Sequence, residues 1–282
     1  VTPLQALTPW LVPVATVAAV VALTLGRHAA AATGAVVGLV FLAFVAPLAF
    51  PSELPPSAGG EELTIAHANL LYSNPTIDVA VDALLALDAD IIAVSELTPE
   101  FASAIAASPL GERYPHTLLR PGGAAVGLGF WSREPIRPGP TILGSTMALS
   151  AEVDLDGEPL VVLLAHPLPP LFHGERWRRE MTAMAQLDDD VRARTVLVAD
   201  LNVSYYHPPF RRFLDATGWR DVHQALGRGF SVSWPSDEVM PPFVRLDHAL
   251  VGERVTATAI ADHDVPGGDH RAFAVTVSWA AR

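Results

Sequence analysis

The chain reads as an α+β protein: a two-sheet sandwich with helices outside it, carried behind a pair of membrane-spanning helices. Three observations predict this. Two long apolar runs fill residues 1–50, where Arg27 is the sole Lys, Arg, Asp or Glu. After them, apolar strand segments and helical stripes follow in mixed order, helices early and midway with strands between. Asp156-Gly157 supplies a hairpin turn between two of those strands.

The first run, Leu4–Leu25, has about 22 residues, and the second, Ala29–Phe50, is similar, each enough to cross a bilayer core. Trp10 suits an interface, and Pro9, Pro13 and Pro47 are tolerable in membrane helices. Gly34 and Gly38 form a GxxxG pattern that permits close helix packing. A signal peptide has one shorter apolar region behind a basic start, a pattern absent here. The positive-inside tendency places the Gly26-Arg27-His28 turn in the cytoplasm and the C-terminal part outside the cell membrane. Residues 51–61 (PSELPPSAGGE) read as a short linker, and residues 62–282 as the globular domain.

Strand signals recur at Leu63–Ala68, Ile91–Val94, Ala124–Trp131, Met147–Asp154, Leu160–Ala165, Val196–Ala199, Val244–Val251 and Arg271–Trp279. Helical stripes lie at Ile77–Leu87, Glu175–Val191 and Phe210–Ala216. The net charge is −12, and Arg27 and Glu53 are the only charged residues before residue 60 and cancel, so residues 60–282 carry all of it. That balance argues against broad nucleic-acid binding, which needs a positive field, and no stable nucleic-acid partner is expected. With no cysteine, neither a disulfide framework nor a thiolate metal site exists.

Polar groups gather at strand ends. ELTIAHANL places Asn69 there, IIAVSELTPE Glu96, VVLLAHPLPP His166, and VLVADLN Asp200 and Asn202. In an extended chain residues i and i+2 share a side, so Asp200 and Asn202 are expected to face one volume. VRLDHALV carries Asp247 and His248, and VPGGDHRAFAV sets Asp269 and His270 before the last strand. Singly, each reads equally well as a turn, a cap or a loop histidine. Jointly they repeat one chemistry: oxygen ligands that suit Mg²⁺ or Mn²⁺, and His–Asp groups that suit proton transfer.

This ordered set resembles the endonuclease/exonuclease/phosphatase superfamily, whose members include apurinic endonucleases, DNase I, sphingomyelinases and inositol-phosphate phosphatases. The likeness covers about residues 62–280. It implies a four-layer αββα sandwich of the DNase I-like kind. It implies that Glu96, as direct ligand, and Asn69 belong to the metal site, with Asp269 assisting. Asp200 would orient or activate the nucleophile, and Asn202 would contact phosphate. His166 would hold a phosphate oxygen, His270 would serve as general base or transition-state stabiliser, and Asp247 would fix its tautomer. Ala199-Asp200-Leu201-Asn202, Ser95-Glu96 and Gly268-Asp269-His270 stand where the family usually has Gly-Asp-x-Asn, Gln-Glu and Ser-Asp-His. These departures spare the active groups and point away from the DNA-repair nucleases.

Arg245 reads either as a substrate-phosphate contact or as a structural partner of Asp247. His263 and Asp264 with Asp269 and His270 make a rival metal cluster, though zinc spacing such as HExxH is absent. Arg176, Arg178 and Arg179 are a solvated helix face or a contact for anionic lipid headgroups. Trp234-Pro235 and Met240-Pro241-Pro242-Phe243 make an apolar loop suited to packing or to covering a lipid tail. The layout of membrane runs plus domain resembles the VanJ-type proteins associated with teicoplanin resistance. That implies a membrane-tethered, extracytoplasmic phosphohydrolase acting on a lipid-linked phosphate such as undecaprenyl pyrophosphate. A metal-dependent nuclease and an inactive lipid-phosphate-binding domain are the alternatives.

Overall fold

The computed structural model describes residues 3–52, 54–236 and 241–281. Glu53 of the linker and Met240 of the apolar loop lie outside the described residues. The strands are β1 (Leu63–Asn69), β2 (Ile91–Ser95), β3 (His116–Arg120), β4 (Leu128–Ser132), β5 (Ile136–Pro138) and β6 (Ala148–Leu155). They continue as β7 (Glu158–Ala165), β8 (Thr195–Asp200), β9 (Arg220–Asp221), β10 (Asp247–Val251), β11 (Val255–His263) and β12 (Ala272–Trp279). One mixed sheet has the order β11-β12-β1-β2-β4-β3 and the other β5-β6-β7-β8-β10-β9.

Three apolar cores separate four layers, the α+β sandwich that the sequence predicts. Alternate strand residues face opposite sides. Ile65, Ile91 and Phe130 of one sheet meet Val162, Leu164, Val196 and Val198 of the other between the sheets. Their neighbours Ala66, Ile92 and Val94 pack outward on Leu84, Phe101 and Ile105 of the helices Ile77–Ala86 and Pro99–Ala106. Leu163, Leu197 and Ala199 pack on Trp177, Met181 and Phe210 of the helices Pro170–Ala185 and Pro208–Thr217. Strands buried on both faces read as continuous apolar runs, which is why they stood out in the sequence.

Several boundaries differ from expectation. Ala124–Val126 form a short 3₁₀ turn, with Ala124 at φ 52°, and the strand starts only at Leu128. Val244 makes an isolated bridge to Trp234, so β10 begins at Asp247. The segment 175–191 belongs to two helices, Pro170–Ala185 and Asp189–Ala193, where a single one was expected. β3, β5, β9 and β11 lie at or beside sheet edges and were not anticipated. β5 and β9 are too short for a pattern, and the Thr- and Ala-rich VTATAIADH of β11 gives weak contrast.

The N-terminal helices Leu11–Thr24 and His28–Val45 pack as an antiparallel hairpin around Gly26. With their flanking 3₁₀ turns they form stretches of 21 and 22 residues, each long and apolar enough to cross a membrane. Gly34 is the close contact: a Cβ there would stand 3.1 Å from the Ala19 Cβ and 3.2 Å from its Cα. Val14, Val17, Leu39 and Phe44 are exposed on the outer faces. The open ends of the hairpin meet the sandwich. The Trp10 indole donates to the Phe243 carbonyl (3.0 Å), and Leu48 is buried beside Gly229. The Pro-rich segment is laid on the sheet edge, where Thr256 donates to the Pro55 carbonyl and Ala58 N–H to the Trp279 carbonyl.

Gly127 sits where the chain passes under Glu96-Leu97, and a Cβ there would fall 1.8 Å from the Leu97 carbonyl oxygen. Gly127→Ala should therefore destabilise the fold by ~1–3 kcal/mol. Gly123→Ala, with open space around the added Cβ, should change stability by less than ~0.5 kcal/mol. Thermal unfolding of the two variants checks the pair.

Candidate active site

Each sheet contains one parallel pair, and the site forms where the two pairs end. β1 runs parallel to β2 with Asn69 opposite Ser95, so Asn69 and Glu96 leave that sheet together. β7 runs parallel to β8 with Ala165 opposite Ala199, so His166 and Asp200 leave the other together. β10 runs antiparallel to β8 and starts with Asp247 opposite Asp200. β12 runs antiparallel to β1, which brings His270, two residues before it, to the same end.

Asp200 is the meeting point. Its Oδ2 accepts from the Asn69 amide (3.1 Å) and lies 3.3 Å from His166 Nε2 and 3.6 Å from His270 Nε2. Its Oδ1 accepts from the Asn202 backbone N–H (2.9 Å). Asn69 donates equally to Glu96 Oε1 (3.1 Å), and Glu96 Oε2 accepts from the Tyr72 backbone N–H (2.9 Å). His166 Nδ1 donates to the Ala125 carbonyl (2.9 Å), which aims Nε2 at the two carboxylates. His270 Nδ1 is 2.8 Å from Asp247 Oδ2, so its Nε2 faces the centre. Glu96 and Asn202 both take positive φ, 59° and 55°, a region costly for most side chains and easier for Asn.

The sequence pattern of the endonuclease/exonuclease/phosphatase family matches residues 65–270, which span both sheets and every group just described. The chain belongs to that family. Solved structures show the same fold at low identity. Humanized D. rerio TDP2 is 15% identical, with 77% of this chain and 99% of that chain covered and a TM-score of 0.61. The human Nocturnin catalytic domain with bound sulfate is 12% identical, covering 80% and 97%, with a TM-score of 0.60. A 3′ phosphatase, NExo from Neisseria, bound to product DNA hairpin, is 16% identical, covering 78% and 100%, with a TM-score of 0.58. Comparison with curated proteins gives no match.

Within this family fold the electrostatics of the site follow from burial and crowding. Burial opposes a cation at His270, but the charges of Asp247 and Asp200 outweigh it and raise its pKa to about 10. Burial likewise opposes charging of His166, and the Asp200 hydrogen bond and charge prevail and raise it. Burial alone would raise Asp200, yet the charge of His270 and the His166 bond hold it well below the usual carboxylate range. The carboxyl groups of Glu96, Asp200 and Asp247 thus face the rings of His166 and His270 and the Asn69 amide. Glu96 and Asp200 offer carboxylate oxygens that fit a hard divalent cation, while Asn69 turns its amide N–H between them and its Oδ1 accepts from the Leu71 N–H. Asp200, Asp247 and His270 also offer ligand atoms within 4.8 Å of one another. The His270–Asp247 bond marks that trio as a proton-handling unit beside the oxygen donors.

Not every sequence candidate joins the cluster. Asp269 is half-buried, and its indole partner is Trp234 Nε1 (3.4 Å); among the described residues no contact ties it to Asn69 or Glu96. Asn202 turns out of the strand, so it does not share a side with Asp200 by strand alternation. It donates its backbone N–H to Asp200 and its side-chain amide to the Pro167 carbonyl (3.1 Å). Arg245 is corrected from a substrate contact to a structural group. It is buried, its guanidinium bonds Asp262 (2.7 Å) and Ser231, and it donates to the Asp247 backbone carbonyl and not to its carboxylate. The rival cluster does not form: Asp264 is exposed and paired with Arg271. Sequence reading missed His67, two residues before Asn69 and fully buried, with Nδ1 3.8 Å from Asp247 Oδ1. Its signal was the i, i+2 spacing from Asn69 in a β1 that is otherwise apolar.

In chelator-treated protein the raised His270 pKa predicts a pH dependence with a definite sign. Its contribution to stability is full below the unfolded value of ~6.5 and is lost as pH rises through about 10. The melting temperature should fall across that window more steeply for the native chain than for His270→Gln. Parallel curves for the two proteins would show that the imidazolium does not carry this stability.

Proposed function

We propose that the chain is a membrane-anchored, divalent-metal-dependent phosphohydrolase acting on a lipid-linked phosphate or pyrophosphate of the polyprenyl class. Asp200 carries the hydrolase reading. It is a buried, ionised carboxylate touched at once by two histidines and by the amide that bridges it to Glu96. Glu96 and Asp200, held together by the Asn69 amide, would hold Mg²⁺ or Mn²⁺. Such an ion, when bound, offsets the charge that builds on a phosphoryl group during displacement. Asp200 orients the attacking water and draws on its proton. His166 donates Nε2–H to a phosphoryl oxygen. His270 presents a protonated Nε2 to the developing charge, and Asp247 on its Nδ1 fixes that orientation. Asn202, whose side-chain amide bonds the Pro167 carbonyl, is assigned the phosphate contact in this reading.

Three features support a lipid substrate and a membrane address. The open ends of the apolar hairpin dock on the sandwich, while its turn with Arg27 lies at the far end. Arg27 on the cytoplasmic side, by the positive-inside tendency, supports a hydrolase domain outside the cell membrane. The helix that begins four residues after His166 exposes Leu171 (54%) and Phe172 (77%) ahead of Arg178 and Arg179. Apolar side chains beside arginines suit an anionic lipid surface. Tethering also confines enzyme and substrate to two dimensions, raising their effective concentration.

The nuclease reading is favoured by one observation, that D. rerio TDP2 and Neisseria NExo were both solved with DNA products. The net charge of −12 weighs against it here. Full-length chain in detergent with Mg²⁺ or Mn²⁺ should release phosphate from a polyprenyl pyrophosphate. Chelator should abolish this, and His270→Ala should slow it about 10²–10⁴-fold. Efficient cleavage of DNA with no turnover of any lipid phosphate would overturn the proposal in favour of a nuclease.

A second measurement isolates the membrane-facing helix. Phe172→Asp should raise KM several-fold for substrate in anionic vesicles and leave turnover of a short-chain, water-soluble phosphate unchanged. An equal loss on both substrates would place Phe172 in the fold of the site and not at a lipid contact.

A further inference from the structure

Adjacent residues of β10 point to opposite faces: Asp247 to the cluster above, and His248 to a separate cavity of about 270 Å³. The cavity lies where the hairpin meets the sandwich. Pro9, Trp10 and Leu48 of the hairpin and Phe230, Val232 and Phe243 of the sandwich make its apolar walls. Its polar lining includes Tyr206, Asp221, His223 and Arg245.

The charged side chains there already have hydrogen-bond partners. Arg245 is bonded to Asp262 (2.7 Å), and Asp221 Oδ2 to His248 Nδ1 (2.8 Å). His223 is different. It is 1% exposed, and among the described residues neither ring nitrogen has a hydrogen-bond partner; carboxylate oxygens of Asp262 and Asp221 lie 3.5 Å and 3.9 Å away. The buried Tyr206 hydroxyl also lacks a partner. Burial pushes His223 down to about 4, which leaves the imidazole neutral with one donor and one acceptor. Buried polar groups are rarely left unpaired, and each such group weakens the fold until something meets it. Partnered charged groups and unmet neutral donors call for a neutral hydrogen-bonding ligand and reject a phosphate.

We propose that this cavity binds the hydroxyl head of a neutral, single-chain membrane lipid, such as a long-chain alcohol or a monoacylglycerol. The hydroxyl meets His223 and Tyr206, and the chain lies against Pro9, Trp10, Phe230 and Phe243. The lipid is the occupant because one wall belongs to apolar stretches of membrane-spanning length, so the cavity borders directly on lipid. The volume suits a head group and the first methylenes, with the remaining chain in the bilayer. The site shares no lining residue with the hydrolase cluster, so the proposal stands or falls apart from the reaction assigned there; it requires only that the hairpin lie in the membrane.

The test uses full-length chain in phosphatidylcholine vesicles with a diazirine-bearing long-chain alcohol. Photo-labelled residues are mapped by mass spectrometry, and phosphoester turnover is recorded separately. Labelling is expected around Trp10, Phe230 and Phe243, competed by unlabelled alcohol. Val232→Trp, which fills the cavity, should remove it. Tyr206→Phe, which keeps the shape, should weaken competition about fivefold. Labelling confined to outward-facing Val17 and Leu39 would overturn the proposal, as would labelling unchanged in both variants. Stronger labelling of the cavity by the same chain with a phosphate head would overturn it equally.

Discussion

Burial of the Asp200 carboxylate is the constraint on which the rest of the structure depends. A lone ionised carboxylate in a protein interior is costly, so it must be surrounded by donors and opposite charge. Asn69, Asn202, His166 and His270 come from four separate parts of the chain to do this. No local motif can deliver such a set. It requires two sheets to end at one place, with a parallel pair in each. The crossover helices 77–86 and 170–185 follow from that requirement, since parallel neighbours cannot be joined by a tight turn. The four-layer sandwich is thus the architecture that lets these strand ends converge.

The same constraint explains the second rank of residues. His270 gains its charge from Asp200 and Asp247 together, and Asp247 is placed by its register opposite Asp200. Its backbone N–H donates to Ser233 Oγ and its carbonyl accepts from Arg245, so two elements beyond the cluster hold it in position. The free Oδ1 of Asp247 faces the neutral, buried His67. Arg245 in turn is held by Asp262. A substitution at Asp262 would therefore be felt at the His270–Asp200 cluster through Arg245 and the Asp247 backbone.

Strand ends were legible in the sequence because β1, β2, β7 and β8 are buried on both faces and each run stops abruptly at a polar residue. Asn69, Glu96, His166 and Asp200 were visible for that reason. Asp269 and Asn202 were visible as residues but not as geometry. Asn202 leaves the strand with positive φ, and strand alternation ceases to apply at that step. Arg245 beside Asp247 suggested a local ion pair, yet residues i and i+2 at the start of a strand compete with any carboxylate that tertiary packing brings nearer. Asp262, far along the chain, won that competition. His67 showed only its i, i+2 spacing from Asn69, and His223, in Arg-Asp-Val-His-Gln, carries no signal of what it will face.

The hairpin is joined to the site by a short physical chain. Trp10 donates to the Phe243 carbonyl, the Phe243 ring packs edge-on to Trp234 at 5.9 Å, and the Trp234 indole donates to Asp269, the neighbour of His270. The apolar hairpin thus reaches His270 through two aromatic rings and one carboxylate. Coupling of this kind needs an element with two arrangements, and the segment from Phe230 to Trp234 is the candidate, since it borders the lipid cavity on one side and holds Asp247 and Asp269 on the other. Under the proposed function, a lipid seated against Phe230 and Phe243 would favour the arrangement in which Trp234 holds Asp269. Membrane insertion and catalytic order would then share one wall, which gives a physical reason for the sandwich to dock on the hairpin ends and not hang free from a flexible linker.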